Sequence, residues 1–442
     1  MSDKKNSGQF MLVVTVAFLI TGNLVGAGIL GLPVNTGIDG FIPSLIGMLI
    51  FGGAMFFTAV VLGKEASENQ DSNFNYPSLY QKYLGGAGKW VAIMANMLIL
   101  YGLLTAYLTG GTTIVTSLFG LEKYSVFVLG GIFLLLTGLT LLGTNIIRKY
   151  NALLMILLWG SFAIIVFMAE KHIKPVRLLH TDWGFFPVAI PIIVTSFHFH
   201  NIIPNVCKSL EWKMSTIWKA MLAGMIIGYV MNAIWIEVGV GSLPLEGSTD
   251  SIIYAYKHNI PATVPMSSVI HSKSFVSCSM LFALLAIMTS YIANGLGLTG
   301  FNKDLVENFL KKSNRWLVAA LTFIPPLVIS YFFPNIFLKA INLVGGIGIV
   351  VLFGILPSII AIIKFKSKSL KALAVFMLLL FSAVFLFQAA EELGLIKLTP
   401  KAEHVKSNVL KHMKKDSDAP KADKNSEKAN GKERAPATNE KQ

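Results

Sequence analysis

Charged residues are scarce in this sequence: they make up 14% of its 442 amino acids, against about 25% in soluble domains. Hydrophobic residues supply 54%, and the mean hydropathy is +0.64. A soluble domain of this length does not have so apolar a composition. The sequence therefore excludes an ordinary soluble protein and predicts an integral membrane protein.

Cysteine is rare as well, since only Cys207 and Cys278 occur, both in or at the edge of apolar runs. Two such residues make neither a disulfide framework nor a metal motif. A metal site needs three or four ligands, and His198, His200 and Glu237 have no companion cluster to supply them. We therefore expect no metal, no other cofactor and no enzymatic activity. A membrane-embedded enzyme remains an alternative that would have to use these three residues.

Alternating polar and apolar residues, the pattern of a membrane β-barrel, are missing from the apolar runs. Residues 132–136 and 378–380, for example, are continuously apolar. About 20 apolar residues suffice for a helix to cross the bilayer, and eleven runs reach this length. We call them spans 1 to 11, and they cover 10–34, 41–63, 90–118, 124–143, 150–169, 187–207, 217–242, 275–299, 316–333, 337–363 and 370–390. The predicted fold class is an all-α integral membrane protein whose transporter domain is 10–390.

The basic residues predict the orientation of the chain, which has a net charge of +14. With residues 1–9 in the cytoplasm, the loops on that side hold eighteen Lys and Arg residues and the opposite loops hold seven. This asymmetry is the positive-inside bias of membrane proteins. Eleven spans would then place the C-terminus in the periplasm, and the lipid bilayer is the expected partner of the whole domain.

The segment 391–442 has hardly any large apolar residue after Leu410 and predicts a disordered basic tail. An arm for nucleic acid or anionic lipid is the alternative. Acidic residues are interspersed along the tail and aromatic residues are missing from it, so we expect no nucleic-acid partner.

Two spans are interrupted by residues that disfavour a regular helix. Span 1 contains Gly22-Asn23-Leu24-Val25-Gly26-Ala27-Gly28, and span 6 contains Ser196-Phe197-His198-Phe199-His200-Asn201. Unwound backbone persists in a bilayer only where it is buried in protein or lines a cavity. Because the interruptions begin two groups of five spans, 10–169 and 187–363, they predict a five-plus-five inverted repeat, with broken helices 1 and 6 at a substrate site. Span 11 is then one extra C-terminal helix.

The break in span 1 suits an anionic ligand. Glycines let the backbone leave helical angles, and a half-helix that begins near Ala27 presents free N–H groups and a positive dipole end to a carboxylate. Close helix packing through small residues is the alternative explanation of these glycines.

Titratable and hydroxyl side chains inside the spans are candidates for ion coupling. His198 would carry a proton, or alternatively would only form a hydrogen bond. Glu237 would also carry a proton, or alternatively would lie in a water-filled outer vestibule. The Ala286 carbonyl with the Thr289 and Ser290 hydroxyls offers oxygen ligands for an alkali cation. Hydroxyls in membrane helices alternatively bond their own backbone.

Four segments carry a resemblance to a known family: 22–33, Ala106-Tyr107-Leu108, 195–204, and Thr289-Ser290 with Leu296-Gly297-Leu298. They resemble the bacterial tryptophan and tyrosine permeases, which are hydroxy and aromatic amino acid permeases of the amino acid–polyamine–organocation superfamily. The resemblance covers about 8–390. It implies a bacterial inner-membrane protein that takes up tryptophan or tyrosine, driven by the proton gradient.

The resemblance also implies the residues of the site. Val25 to Gly28 would bind the substrate carboxylate, and Tyr107 would close the site. The complete implied set of substrate-binding residues is Asn23, Val25, Gly26, Ala27, Gly28, Tyr107, Phe197, His198 and Asn201.

The coupling ion stays open at this point. Gly22, Val25, Ala286, Thr289 and Ser290 match the second sodium site of sodium-coupled relatives in the superfamily, so Na⁺ is an alternative to H⁺. Sodium-coupled uptake of another neutral amino acid and a nontransporting amino acid sensor are the alternative functions.

Overall fold

The computed structural model describes residues 2–26, 28–70, 75–142, 144–247, 249–311 and 314–400. Over these ranges the regular structure is entirely helical. The α-helices are α1 (Ser2–Leu24), α2 (Gly28–Thr36), α3 (Phe41–Asn69), α4 (Tyr76–Phe119), α5 (Ser125–Leu141), α6 (Thr144–Glu170), α7 (Pro175–Leu178), α8 (Phe186–Ser196), α9 (Ile203–Ser209), α10 (Met214–Ser242), α11 (Ile252–Lys257), α12 (Thr263–Ile270), α13 (Lys273–Leu310), α14 (Arg315–Phe332), α15 (Phe337–Leu343), α16 (Leu356–Lys364) and α17 (Lys368–Glu392). Two 3-10 turns, Glu122–Tyr124 and His200–Ile202, and a π-helical stretch, Val344–Ile355, complete the elements.

The predicted membrane-spanning helices are present. In the described ranges, ten segments are long and apolar enough to cross a membrane, and the bent pair α1 and α2 is an eleventh candidate. The all-α membrane fold is therefore confirmed, whereas the five-plus-five repeat stays a prediction. The predicted basic tail falls on residues that lie, from 401 onward, outside the described ranges.

One predicted connection, 64–89, is shorter in the structure than the sequence indicated. Helix α3 continues to Asn69, and α4 already begins at Tyr76, where the Asn75 side chain accepts a hydrogen bond from the Ser78 N–H at 2.9 Å. Gly85, whose φ is 67°, kinks α4 between this first part and the long apolar part. Apolar runs mark only the part of a helix that lipid surrounds. At the end of α3, polar residues continue the same backbone hydrogen bonds beyond the apolar run, so the span length read from hydropathy is a minimum length there. In α4 the polar part before Gly85 is a separate short helical segment.

Span 1 is broken where the glycines predicted it. Helix α1 ends at Leu24, α2 begins at Gly28, and the two axes differ by 60°. The Ile29 N–H donates to the Gly26 carbonyl at 3.1 Å, a three-residue turn that replaces the helical bond to Val25. The backbone of the break therefore has polar groups that a continuous helix would satisfy internally.

Span 6 is interrupted as well. Helix α8 ends at Ser196, residues 197–199 leave the helical conformation, and the 3-10 turn at His200–Ile202 leads into α9. Pro204 lies in the first turn of α9, where a missing N–H is tolerated. Both predicted interruptions are thus observed.

Helix α10 packs very closely against both halves of span 1. A Cβ added to Gly224 would lie 2.8 Å from Ile20, and one added to Gly228 would lie 2.5 Å from Leu24. On the other side of the break, a Cβ on Gly239 would lie 2.4 Å from Pro33. Only glycine permits these approaches, so α10 supports α1 and α2 together.

An ion-pair cluster joins the ends of α3, α4 and α16. Lys364 pairs with both Glu65 and Glu68, and the Tyr83 hydroxyl donates to the Glu65 carboxylate at 3.0 Å. The Glu65 side chain is only 1% exposed, so its charge depends on these partners.

Candidate substrate-binding site

The two interruptions lie next to each other. The Asn23 side-chain amide donates to the His198 carbonyl at 3.1 Å and to the Asn201 side-chain oxygen at 3.2 Å. On the other side of the break, a Cβ on Gly28 would lie 3.5 Å from the Thr195 methyl group. The interruptions of spans 1 and 6 and the helix ends beside them therefore form one continuous wall.

This wall borders a cavity of about 890 Å³. A cavity of this size accommodates a small organic molecule. The predicted residues that line it are Gly22, Asn23, Gly26, Gly28, Tyr107, His198, Asn201, Thr289 and Ser290. Most of the lining surface is apolar, with a few polar groups that converge near the breaks, which is the usual character of a small-molecule site.

The cavity extends toward one end of the bundle. Leu12, Thr15 and Ser209 line it, so it reaches the end where α1 begins and α9 finishes. At the opposite end of the break, the Ala262 N–H donates to the Leu30 carbonyl at 2.8 Å, and the Trp235 indole N–H donates to the Ile29 carbonyl at 2.7 Å. These bonds fasten α2 to α12 and α10.

The wall opposite the break is built by α4 and α13. The Asn294 side-chain amide donates to the Tyr107 hydroxyl at 3.3 Å and to the Ser290 carbonyl at 2.9 Å. A Cβ on Gly26 would lie 2.9 Å from the Ser290 hydroxyl oxygen. Glycine at position 26 therefore sets the width of the cavity at this level.

The two histidines of span 6 stack on each other at the wall formed by the interruptions. Their rings are 6.0 Å apart and nearly parallel, and both rings pack against Phe353. His200 is fully buried and hydrogen-bonded to the Thr58 hydroxyl at 3.0 Å, while the Tyr76 hydroxyl donates to its carbonyl. The His198 Nε2 atom is buried and has no hydrogen-bond partner in the described ranges. Of the two histidines, His198 is the one that lines the cavity.

Phe197 does not line the cavity. It packs on the far side of the wall, where its ring lies 3.3 Å from the position of a Cβ on Gly52 and 6.4 Å from the Tyr229 ring. The family resemblance implied that Phe197 binds substrate, but the direction of its side chain depends on the nonhelical backbone angles at this residue.

Three other predicted residues also lie away from the cavity. Val25 and Ala286 are buried in helix contacts, and Glu237 is half-buried on α10 without reaching the cavity wall. Ala27 lies outside the described residues.

The predicted oxygen ligands on α13 do not all lie at the cavity. The Thr289 hydroxyl donates to the Leu285 carbonyl at 2.8 Å, which is the backbone bonding expected of a hydroxyl in a membrane helix. Gly22, Thr289 and Ser290 line the cavity, so the residues that match a sodium site are not all on its wall. In the searched part of the chain, no group of three or more His, Cys, Asp or Glu residues is placed to hold a metal ion.

Several lining residues were missed by the sequence analysis. Met155 and Trp159 come from α6, and the Trp159 ring contacts Phe18 edge to face at 5.7 Å. Nothing in the sequence separates an aromatic residue that lines a cavity from one that faces lipid. Asn294 and Thr195 were visible as polar residues within spans, but only their contacts place them at the site.

Comparison with known proteins agrees with this architecture. The model of the tryptophan/tyrosine permease family matches residues 11–388. The tyrosine-specific transport system 1 of Haemophilus influenzae is 28% identical over 337 residues, which cover 74% of this chain and 82% of the relative. The tryptophan-specific transport protein of Pseudomonas aeruginosa is 24% identical over 353 residues, 74% of this chain and 81% of the relative.

A third relative, the low affinity tryptophan permease of Escherichia coli K12, is 22% identical over 392 residues, with 82% of this chain and 88% of the relative covered. All three relatives are named as transport proteins or permeases and none as an enzyme, in agreement with the prediction of no enzymatic activity. With a match over most of its length, this multi-pass membrane protein belongs to the tryptophan/tyrosine permease family.

Proposed function

We propose that the protein is a secondary active symporter that imports tryptophan or tyrosine across the bacterial inner membrane by alternating access. The observation that carries this proposal is the pair of interrupted spans, joined through Asn23, on the wall of a substrate-sized cavity. The names of the relatives supply the substrate class.

The cavity suggests how the substrate binds. Its carboxylate lies at the N-terminus of α2, near Gly26 and Gly28, where free N–H groups and the helix dipole favour an anion. Its amino group lies toward the carbonyl-rich turn at His198 and Asn201. The aromatic side chain extends between Tyr107 and Trp159, which border the apolar part of the cavity.

The open end of the cavity is the cytoplasmic end in the orientation that the basic residues predict. The structure then corresponds to a state in which bound substrate leaves toward the cytoplasm, while the bonds of Leu30 and Ile29 close the periplasmic end. An inverted five-plus-five repeat would supply the opposite state by exchanging the conformations of its halves.

Protons are the proposed coupling ion. His198 supports this assignment, because an ionisable side chain that borders a membrane cavity is a functional candidate by default. Sodium would bind instead near Thr289 and Ser290, and the test has to separate the two ions.

The test is uptake by the purified full-length protein in proteoliposomes, with a proton or a sodium gradient imposed separately. We expect accumulation of radiolabelled tryptophan or tyrosine with the proton gradient, and competition by aromatic members of the twenty amino acids. Accumulation with sodium alone would reverse the ion assignment. Binding without accumulation under either gradient would identify a sensor and refute transport.

A further inference from the structure

Behind the break in span 1 lies a polar side chain that the proposed function does not use. Asn232 of α10 is fully buried, and neither its Nδ2 nor its Oδ1 has a hydrogen-bond partner in the described part of the chain. Burial of an amide without partners is unfavourable, and such groups are rare in folded proteins. An unpaired amide at this depth therefore calls for a functional explanation.

The packing of α10 shows where Asn232 lies relative to the break. Successive contacts run along one face of the helix, in the same direction on both partners: Gly224 with Ile20, Gly228 with Leu24, the Trp235 indole with the Ile29 carbonyl, and Gly239 with Pro33. Asn232 belongs to this face, because it follows Gly228 by four residues and precedes Trp235 by three. The register therefore places it beside the break between Leu24 and Gly28.

The break offers groups that match a carboxamide. The Ile29 N–H donates to the Gly26 carbonyl, which frees the Val25 carbonyl from its helical partner. A carboxamide provides both a donor and an acceptor, so it can bind a freed carbonyl and a freed N–H of the same stretch. Asn232 does not line the cavity, so it approaches the break from the side away from the substrate.

We infer that Asn232 is a positioning residue whose carboxamide pairs with the unwound backbone of span 1 when substrate is bound. The pairing holds the N–H groups at the start of α2 toward the cavity and the substrate carboxylate. This inference rests on the proposed function, since it assigns Asn232 to the same site. It explains why α10 carries an amide at the one level where its partner is not helical.

The test compares Asn232→Leu, which removes the amide but keeps the number and branching of the side-chain heavy atoms, with Ser279→Ala. Ser279 is a matched control because it is also fully buried, with an unpartnered hydroxyl, but it belongs to α13 and does not line the cavity. Without substrate, we expect both variants to melt at or above the temperature of the wild-type protein, since each loses an unpaired polar group.

With tryptophan or tyrosine present, the two variants should differ. We expect N232L to lose most of the substrate-induced rise in melting temperature and to show a KM for uptake raised about tenfold, with a smaller change in maximal rate. S279A should keep the wild-type values of both. A wild-type thermal shift and KM in N232L would overturn the inference.

Two further comparisons cover the remaining outcomes. N232L could melt below the wild-type protein in the absence of substrate. In that case N232S is compared with N232A, because these two variants differ only by one hydroxyl group. Equal substrate affinities of N232S and N232A would overturn the inference. If no aromatic amino acid binds the wild-type protein, the proposed function fails. In that case the inference fails with it, because Asn232 is assigned a role only in the substrate-bound state; loss of the inference alone is recognised by substrate binding to the wild-type protein that N232L retains.

Discussion

Replacement of Gly26 tests the width of the substrate site most directly. An alanine Cβ at this position would lie 2.9 Å from the Ser290 hydroxyl oxygen and 3.4 Å from the Asn23 carbonyl, but 4.0 Å from the Ser290 Cβ. The backbone at Gly26 is outside the left-handed region, so alanine is not conformationally strained there. The obstacle is therefore one oxygen atom of a neighbouring side chain.

Overpacking of this kind costs about 1 to 3 kcal/mol. If this destabilisation acts only on the substrate-bound state, the apparent affinity for tryptophan falls about tenfold for each 1.4 kcal/mol. Gly26→Ala should thus lower affinity about five- to 150-fold, and Gly26→Val, with a branched side chain that fills the carboxylate position, should abolish uptake.

A second substitution, at Ser290, tests whether its hydroxyl oxygen is the obstacle. Ser290→Ala removes the obstructing oxygen, so the double variant should recover most of the affinity lost in Gly26→Ala. The assay is radiolabelled tryptophan uptake in vesicles, with the amount of inserted protein measured in parallel. Gly53→Ala is the control, because nothing lies within 4 Å of its added Cβ. Wild-type uptake by Gly26→Ala, or a double variant no better than that single variant, would refute this geometry.

Three further predictions concern charge and protonation. His198→Ala should change substrate affinity or the pH dependence of uptake; an unchanged pH profile would remove His198 from the proton path. Lys364→Met leaves the buried Glu65 carboxylate without a cation and with only the Tyr83 hydroxyl as its donor, so the free energy of unfolding should fall by about 3 kcal/mol, and Glu65→Gln in the same chain should restore part of the loss in a thermal melt. Burial raises the pKa of Asp39, with a smaller contribution from the nearby Asp182 carboxylate, and outweighs the lowering effect of the Asp39 and Gly40 backbone N–H groups. The folded protein therefore holds this proton more tightly than the unfolded chain, and stability is lost as pH rises from the unfolded pKa of about 3.9 through the folded value. Asp39→Asn should raise the melting temperature at pH 7.5 more than at pH 5, and an equal effect at both values would contradict the raised pKa.

Much of the fold was predictable because bilayer thickness dictates it. Any helix that crosses lipid needs a long apolar run, and backbone that departs from a helix at that depth is favoured by a residue such as Gly26, which lies between α1 and α2. The spans and both interruptions follow from these two requirements, without knowledge of tertiary contacts.

The parts of the site that could not be predicted depend on side-chain direction and helix register. Phe197 and His198 are neighbours in the sequence, yet one packs behind the wall and the other borders the cavity, because nonhelical angles separate their directions. In the sequence, Asn232 cannot be distinguished from other polar residues of a membrane helix. Only the glycine contacts of α10 show which level of span 1 it faces.

The contacts of α10 with both pieces of span 1 limit how the protein can change shape during a transport cycle. If α1 tilted alone to shut the open end of the cavity, Ile20 and Leu24 would move away from Gly224 and Gly228, and the close packing between the two helices would be lost. Because Gly239 and Trp235 hold α10 equally closely to α2, a tilt that avoids this loss must move α1, α2 and α10 as one rigid unit. The hinges would then lie at the ends of that unit, in the nonhelical segments before Met214 and after Ser242. The helices that slide past the unit would be α4 and α13, on the far side of the cavity.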